Sequence, residues 1–453
     1  MTSTRSRRDD VIPLREATRA WFAISLQTFG GPAGQIAVMQ HKLVDEKRWI
    51  GQQRFLHALN YCMLLPGPEA QQLAIYVGWL LNGTAGGLVA GILFVLPGVL
   101  ALLALSALYV GAGSTTFVTG LFAGLAPAVI AIVVQAVHRV GKRALHHPAL
   151  VVMAVASFVA LTVFKVPFPA VVAAAGVIGW LVGRRVPAFT EANAHGPAAD
   201  GPPPLISDDA LHHDPPSTVR GLKLLVLGLV LWFTPVAVAA ATFGRDSVFV
   251  DQGLFFSGAA VVTFGGAYAV LSYVAHQAVN VFGWLKAGEM VRGLALAETT
   301  PGPLIMVVQF VAFVGAYRDP GSLDPWVAAV LASLLVTWVT FVPCFLFIFL
   351  GAPYVERLRN NRQLTAALTG ITAAVVGVIA NLAVFFALHN LFDRSRTVSA
   401  GPAELDVPVL SSADPVAFAI TAVALALILG RTWSTMRTLG VCALLGLAST
   451  LVG

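Results

Sequence analysis

Residues 88–110 read LVAGILFVLPGVLALLALSALYV, 23 positions without one charged side chain. A helix of that length crosses the roughly 30 Å of hydrocarbon in a bilayer. Similar runs recur to the C-terminus. Hydrocarbon offers no partner to a backbone N–H or C=O, so such a chain must span as helices or as a closed barrel. A barrel would show short alternating strands, and these runs do not alternate. The expected fold class is an all-α polytopic membrane protein. Only 11% of the 453 residues are charged, against about 25% in soluble chains. The net charge of +6 therefore reflects loop topology and does not point to nucleic acid. The N-terminal stretch MTSTRSRRDDVIPLREATR is basic and polar, with no cleavable leader visible. Cys62, Cys344 and Cys442 stand far apart in apolar segments. They form no ligand pattern, so no disulfide, metal or cofactor is expected.

The chain repeats itself. Thr28-Phe29-Gly30-Gly31 returns as Thr263-Phe264-Gly265-Gly266, His41 as His276, Trp49 as Trp284, and Pro66-Gly67-Pro68 as Pro301-Gly302-Pro303, always at an offset of 235. Beyond the polar insert around Tyr317-Arg318-Asp319-Pro320 the offset becomes 246. It holds for Pro97 with Pro343, Gly124 with Gly370, and Gln135 with Asn381. Chance does not keep one register through separate features. The expected layout is a cytoplasmic tail at 1–14, a first repeat at 15–185, a flexible cytoplasmic linker at 186–220, a connecting helix at 221–243, and a second repeat at 250–453. The linker is rich in Pro, Ala, Asp and His. Its His212-His213 pair beside Asp208, Asp209 and Asp214 reads as solvated chain rather than a metal site.

Loop charge orients the repeats. His138-Arg139, Lys142-Arg143 and Arg184-Arg185 are basic, and the loop at 111–116 is neutral. In the second half the counterpart of that neutral loop carries Arg357, Arg359 and Arg362, and Arg431 to Arg437 is also basic. Under the positive-inside rule the two halves then lie upside down relative to each other, as two inverted-topology repeats, an architecture common in secondary transporters. The basic loop Lys42 to Arg54 fits the cytoplasm if GGP and PGP lie in re-entrant hairpins. Both counts stay open, about 9 full crossings with hairpins and about 13 without.

Pro-Gly-Pro inside an apolar segment needs a reason. Arg54 to Leu65 and Ala70 to Leu81 are each 12 residues, a reach of roughly 18 Å. PGP thus divides two half-helices, because proline removes a donor and clashes with the preceding turn. The unwound stretch exposes amides at a helix N-terminus, which suits an anion. The expected substrate site is therefore Gly30, Gly31, Pro32, Pro66, Gly67, Pro68, Gly265, Gly266, Pro301, Gly302 and Pro303, with Arg54 and Arg292 as counter-charges. Snorkelling to the interface is the plain alternative for the two arginines. Glu69, the only acidic residue between Glu46 and Glu191, follows the first PGP, and Glu298 precedes the second. Each is either a helix cap or a proton carrier, and both readings stay open.

The stretches TFGGPAGQIAVM (28–39) and LPGPEAQQLAIYVGW (65–79), with their echoes TFGGAYAVLSYV (263–274) and ETTPGPLIMVVQF (298–310), resemble the chromate ion transporter family in its long, two-domain form. The resemblance covers nearly the whole chain outside the first 14 residues and the linker. Ala267 stands where the first half has Pro32, and Leu304 where it has Glu69, so the halves are not expected to act alike. The resemblance implies a secondary transporter that exports chromate across the bacterial cytoplasmic membrane, driven by the proton gradient or membrane potential, and so confers chromate resistance. Sulfate is also a tetrahedral dianion, and a sulfate or other oxyanion transporter is the alternative. The implied partners are chromate, sulfate, the lipid bilayer and, as an open question, a second copy in a homodimer. No phosphate-binding loop of a primary pump is present. No nucleophile–base pair or ligand cluster points to an enzyme. A channel is disfavoured by the repeat architecture, which suits alternating access.

Overall fold

A half-helix too short to cross a membrane must still hide its ends, and this chain does so by folding each one back on its neighbour. The computed structural model describes residues 11–29, 31–185, 204–206, 218–264, 266–352 and 362–452. Gly30, Gly265, the linker histidines and the loop arginines Arg357 and Arg359 lie outside the described residues. The first half comprises α1 (Leu14–Ser25), α2 (Gly31–Gln40), α3 (Gln52–Leu64), α4 (Glu69–Ala112), α5 (Thr116–Ala144), α6 (Pro148–Thr162) and α7 (Phe168–Gly183). The connecting helix α8 spans Thr218–Phe243. The second half comprises α9 (Val248–Val262), α10 (Ala267–His276), α11 (Ala287–Thr299), α12 (Val307–Arg318), α13 (Pro325–Gly351), α14 (Arg362–Leu391), α15 (Pro415–Leu425) and α16 (Thr435–Val452). The fold is all-α and polytopic. Five helices (α4, α5, α8, α13 and α14) are long and apolar enough to cross a membrane by themselves.

The glycine-proline breaks are hairpin tips. Phe255 of α9 and Tyr273 of α10 bring their ring centroids to 5.3 Å, where a continuous helix would hold them about 27 Å apart. Tyr61 of α3 and Tyr76 of α4 meet at 5.5 Å. Glu289 near the start of α11 pairs with Arg318 at the end of α12 at 2.6 Å. Lys47, just past α2, lies 3.9 Å from Glu16 of α1. So α1–α2, α3–α4, α9–α10 and α11–α12 are all helical hairpins. The 44 residues of α4 are themselves two arms. Asn82 (φ −139°, ψ 29°) and Gly83 (φ 59°, ψ −150°) leave helical geometry, and the arm 69–81 returns along 84–112. A Cβ on Gly78 would stand 2.6 Å from the Cβ of Ala90.

The tips bond to each other across the halves. The Gly67 N–H donates to the Thr263 carbonyl at 2.8 Å, and the Gly302 N–H donates to the Thr28 carbonyl at 3.0 Å. Donors and acceptors are register equivalents, so the exchange is reciprocal. Thr28 and Thr263 are both fully buried, where an unpaired amide or carbonyl is costly. Gln35 Nε2 donates to the Gly302 carbonyl, and Gln72 Nε2 to that of Pro66 at 2.7 Å. Gly67 (φ 121°) and Gly302 (φ 106°) adopt backbone angles that a side chain resists.

The scaffold around the tips repeats the exchange. On α5, Gly124 meets the Cys442 carbonyl of α16, and Gly446 of α16 fits against the backbone of Gly120 and Gly124. On α14, Gly370 lies against Gly179 of α7. Gly124 and Gly370 are register equivalents, and each marks a close crossing to the opposite half. Small residues permit such backbone contact where hydrocarbon gives helices no hydrophobic drive to associate. The connecting helix α8 is peripheral, with only Trp232, Val236 and Ala239 buried.

Two details depart from the expected layout. A β-hairpin, Ser395–Ala400 with Ala403–Pro408, is added to the all-α fold and docks on the α6–α7 loop. There the Glu404 N–H donates to the Val163 carbonyl at 2.8 Å, and Lys165 pairs with Asp406 at 2.9 Å. Within the expected linker, Ile206 bridges to Ile50.

Alanine at Gly67 would place its Cβ 2.9 Å from Gln72 Nε2 and 3.1 Å from Cys344 Sγ, at a φ only glycine favours. Gly67→Ala and Gly302→Ala are each expected to destabilise the protein by about 1–3 kcal/mol. Gly258→Ala, at a helical glycine with open space around it, should be neutral or stabilising. Thermal unfolding of the purified variants in detergent checks the contrast.

Candidate functional site

The hairpin tips border a cavity of about 530 Å³. Its inner wall is formed by the first turns of two helices, Gly31-Pro32-Ala33 of α2 and Gly266-Ala267-Tyr268 leading into α10. No side chain caps the N-terminus of α10. The first-turn amides of a helix lack intrahelical partners and carry the positive end of its dipole. Both helix starts stand on the wall of one cavity, that of α10 without a side-chain cap.

The outer wall is cationic. α3 contributes Arg54 and His57, α5 contributes Arg139 and Arg143, and His146 lies just past the end of α5. Arg54 is nearly buried, at 5% exposure. Glu69, the first residue of α4, is the single acidic residue on the wall among the described residues. Opposite, α14 contributes the hydroxyls of Thr365, Thr369 and Thr372. Arginine forks suit an oxyanion, whereas the Thr369 and Thr372 hydroxyls already donate to the Thr365 and Leu368 carbonyls of α14 itself.

The expected site residues divide between this cavity and its surroundings. Gly31, Pro32, Arg54, Glu69 and Gly266 line it. Pro66, Gly67 and Pro68, with Pro301, Gly302 and Pro303, do not. The PGP glycine amides are already bonded to the facing threonines, so their role in the fold is to lace the tips. Glu298 stands one layer behind the wall, 2% exposed. Its Oε1 accepts from the hydroxyl of Tyr268, while its Oε2 has no hydrogen-bond partner. Arg292 lies away from the cavity. Its Nη1 is 3.5 Å from the Tyr109 hydroxyl, and its guanidinium is 5.9 Å from the centre of the Phe122 ring.

Arg139 and Arg143 are the site residues that the sequence reading passes over, because it takes HRVGKR as a basic loop. They belong to α5, and Gln135, Arg139 and Arg143 recur every four residues, so they share one helix face. That spacing was the available signal. Among the described residues no group of three or more His, Cys, Asp or Glu is placed to hold a metal ion.

Comparison with known proteins identifies relatives over most of the chain. The profile of the family described as "Chromate transporter" matches residues 15–180 and again 250–447. A protein named "Chromate transport protein" from Pseudomonas aeruginosa is 33% identical over 365 residues, covering 78% of this chain and 76% of that protein. One of the same name from Cupriavidus metallidurans is 28% identical, covering 84% of each chain. A "Probable chromate transport protein" from Synechococcus elongatus is 26% identical, covering 84% of this chain and 86% of that one. No solved structure matches.

A cysteine placed at Thr369 on the cavity wall should react with a small maleimide much faster than the native Cys62, Cys344 and Cys442, all of which are buried. Mass spectrometry of the purified protein over a time course checks this. Equal, slow reaction at all four positions would show that solvent does not enter the cavity.

Proposed function

The chain belongs to the chromate transporter family, and from that premise we propose that it exports chromate from the bacterial cytoplasm by alternating access, with the cavity as its inward-facing substrate site. It is a multi-pass membrane transport protein and not an enzyme. The observation that carries the reading is the wall itself: three arginines and two helix N-termini around a space with one carboxylate.

Orientation follows from charge. The cavity reaches His146 on one helix end and Thr435 on another, beside the basic stretches 138–147 and 431–437. Under the positive-inside rule that end faces the cytoplasm. The four hairpins then enter and leave on one side each, the first two from the cytoplasm and the last two from outside. Among the described residues nine helices, counting the long arm of α4, then remain to cross, and the halves are antiparallel. The reciprocal Gly67–Thr263 and Gly302–Thr28 bonds support that inverted pairing, because a two-fold axis in the membrane plane exchanges them.

Magnitudes assign Glu69 its part. An ionised carboxylate about 6 Å from a dianion is repelled by on the order of 5 kcal/mol at an effective dielectric of 20. A helix N-terminus offsets at most about 2 kcal/mol. Glu69 therefore binds a proton when chromate is seated, or Arg143 neutralises it. In the first case the proton leaves with the dianion, and the membrane potential, negative inside, drives the net negative charge out. Sulfate presents the same charge and shape to amides and arginines, so it should compete.

Two experiments test this. Everted membrane vesicles should take up radiolabelled chromate above a vector control, lose that uptake with an uncoupler, and show competition by excess sulfate. Glu69→Gln should abolish the dependence on the proton gradient; full, pH-dependent uptake by this variant would remove Glu69 as the carrier. For topology, a cysteine at Asn360, outside the described residues, should label only from the cytoplasm, and one at the exposed Ser411 only from outside. Labelling of both from one side would sink the antiparallel arrangement.

A further inference from the structure

The space related to the cavity by the repeat is filled. Arg54 and His57, on the cavity wall, correspond in register to Glu289 and Arg292. Leu368, also on the wall, corresponds to Phe122. Where the first set borders a void, the second is packed shut. Tyr109 wedges its ring against Phe122 at 5.5 Å and Phe310 at 5.1 Å, and it is only 9% exposed.

Glu289 sits at the centre of this plug. It takes both guanidinium nitrogens of Arg318, at 2.6 and 2.8 Å, and the Tyr109 hydroxyl at 3.1 Å. Arg292 reaches the same hydroxyl at 3.5 Å. A bidentate arginine, a hydroxyl donor and a second arginine are the donor set that recognises an oxyanion. Here the oxyanion they hold is a carboxylate of the chain itself. Solvent stands beside it: the Arg318 side chain is 41% exposed and borders a second cavity of about 160 Å³.

We propose that Arg292, Arg318 and Tyr109 form an exit-side oxyanion site, and that Glu289 occupies it in this state as a tethered carboxylate that keeps the outer pathway closed. The substrate class rests on the transport reading above; the closure does not. When the α11–α12 hairpin swings from α4 and α5, the Tyr109–Glu289 bond breaks, the Glu289 side chain turns out of its pair with Arg318, and the two arginines receive the departing anion. Competition between tethered and mobile anions ties opening to substrate arrival, because the state that exposes the arginines is favoured by whatever binds them.

Glu289 also accepts the Lys286 N–H at 2.8 Å and so caps α11. A cap alone would affect stability and not sidedness. Glu289→Gln separates the two roles, since glutamine still offers the capping oxygen but carries no charge.

The test uses the full chain in proteoliposomes, with the three native cysteines replaced by alanine and a reporter at Ala295→Cys. Ala295 is fully buried and is the register equivalent of Asn60, which lines the inward cavity. A membrane-impermeant thiol reagent is added outside. Glu289→Gln should speed labelling by on the order of tenfold. The exchanged pair, Glu289→Arg with Arg318→Glu, should return it to the slow rate, and this pair carries the test if the single variant fails to fold. External sulfate or chromate should slow labelling of Glu289→Gln, and adding Arg292→Ala should remove that protection. Unchanged labelling in Glu289→Gln overturns the closure; fast labelling without anion protection overturns the oxyanion site. Labelling needs no transport, so vesicles that fail to take up chromate while labelling responds would remove the transport reading alone.

Discussion

Four short hairpins stand in a region where a backbone amide has no water to turn to, and two hydrogen bonds resolve this. Gly67 donates to Thr263, and Gly302 donates to Thr28. Each half of the chain supplies what the other lacks, so neither set of tips is satisfied alone. The glycine angles, the glutamine braces and the close helix crossings all serve this contact. Gly98 yields to the Pro301 carbonyl so that a PGP tip can approach the first half. Because the bonds join backbone to backbone, they tolerate different side chains in the two halves.

That tolerance lets the halves diverge in charge while keeping one framework. On one side Arg54 and His57 border an open, cationic cavity. On the other, the same register positions are Glu289 and Arg292, locked with Arg318 and Tyr109. Glu69 has no acidic counterpart, since Leu304 takes its place. In the closed half an internal carboxylate, Glu289, holds Arg318 through both Nη nitrogens.

Several features were legible in the chain because they depend on local rules. Charge-free runs longer than a bilayer is thick require helices. Proline and glycine at 66–68 and 301–303 end a helix wherever they stand, and α3 does end at Leu64 and α4 begin at Glu69. The β-hairpin at 395–408 was missed, because none of its residues is buried and the alternation in AELDV (403–407) is confined to one short strand in a chain dominated by apolar helical runs. Arg139 and Arg143 were missed for a different reason. Basic residues near a helix end carry the same signature whether they face a cytoplasmic loop or a cavity wall.

The sequence by itself determined the all-α membrane class, the repeat register and the places where helices break, since backbone desolvation and proline geometry act within a few residues. Only the tertiary structure decided what each break is for. It bound the PGP amides to facing threonines, left the GG helix ends open to the cavity, and set Arg54 and Arg292 in different layers. Those outcomes depend on which half each tip meets, and a contact between residues 196 or more positions apart leaves no trace in local composition.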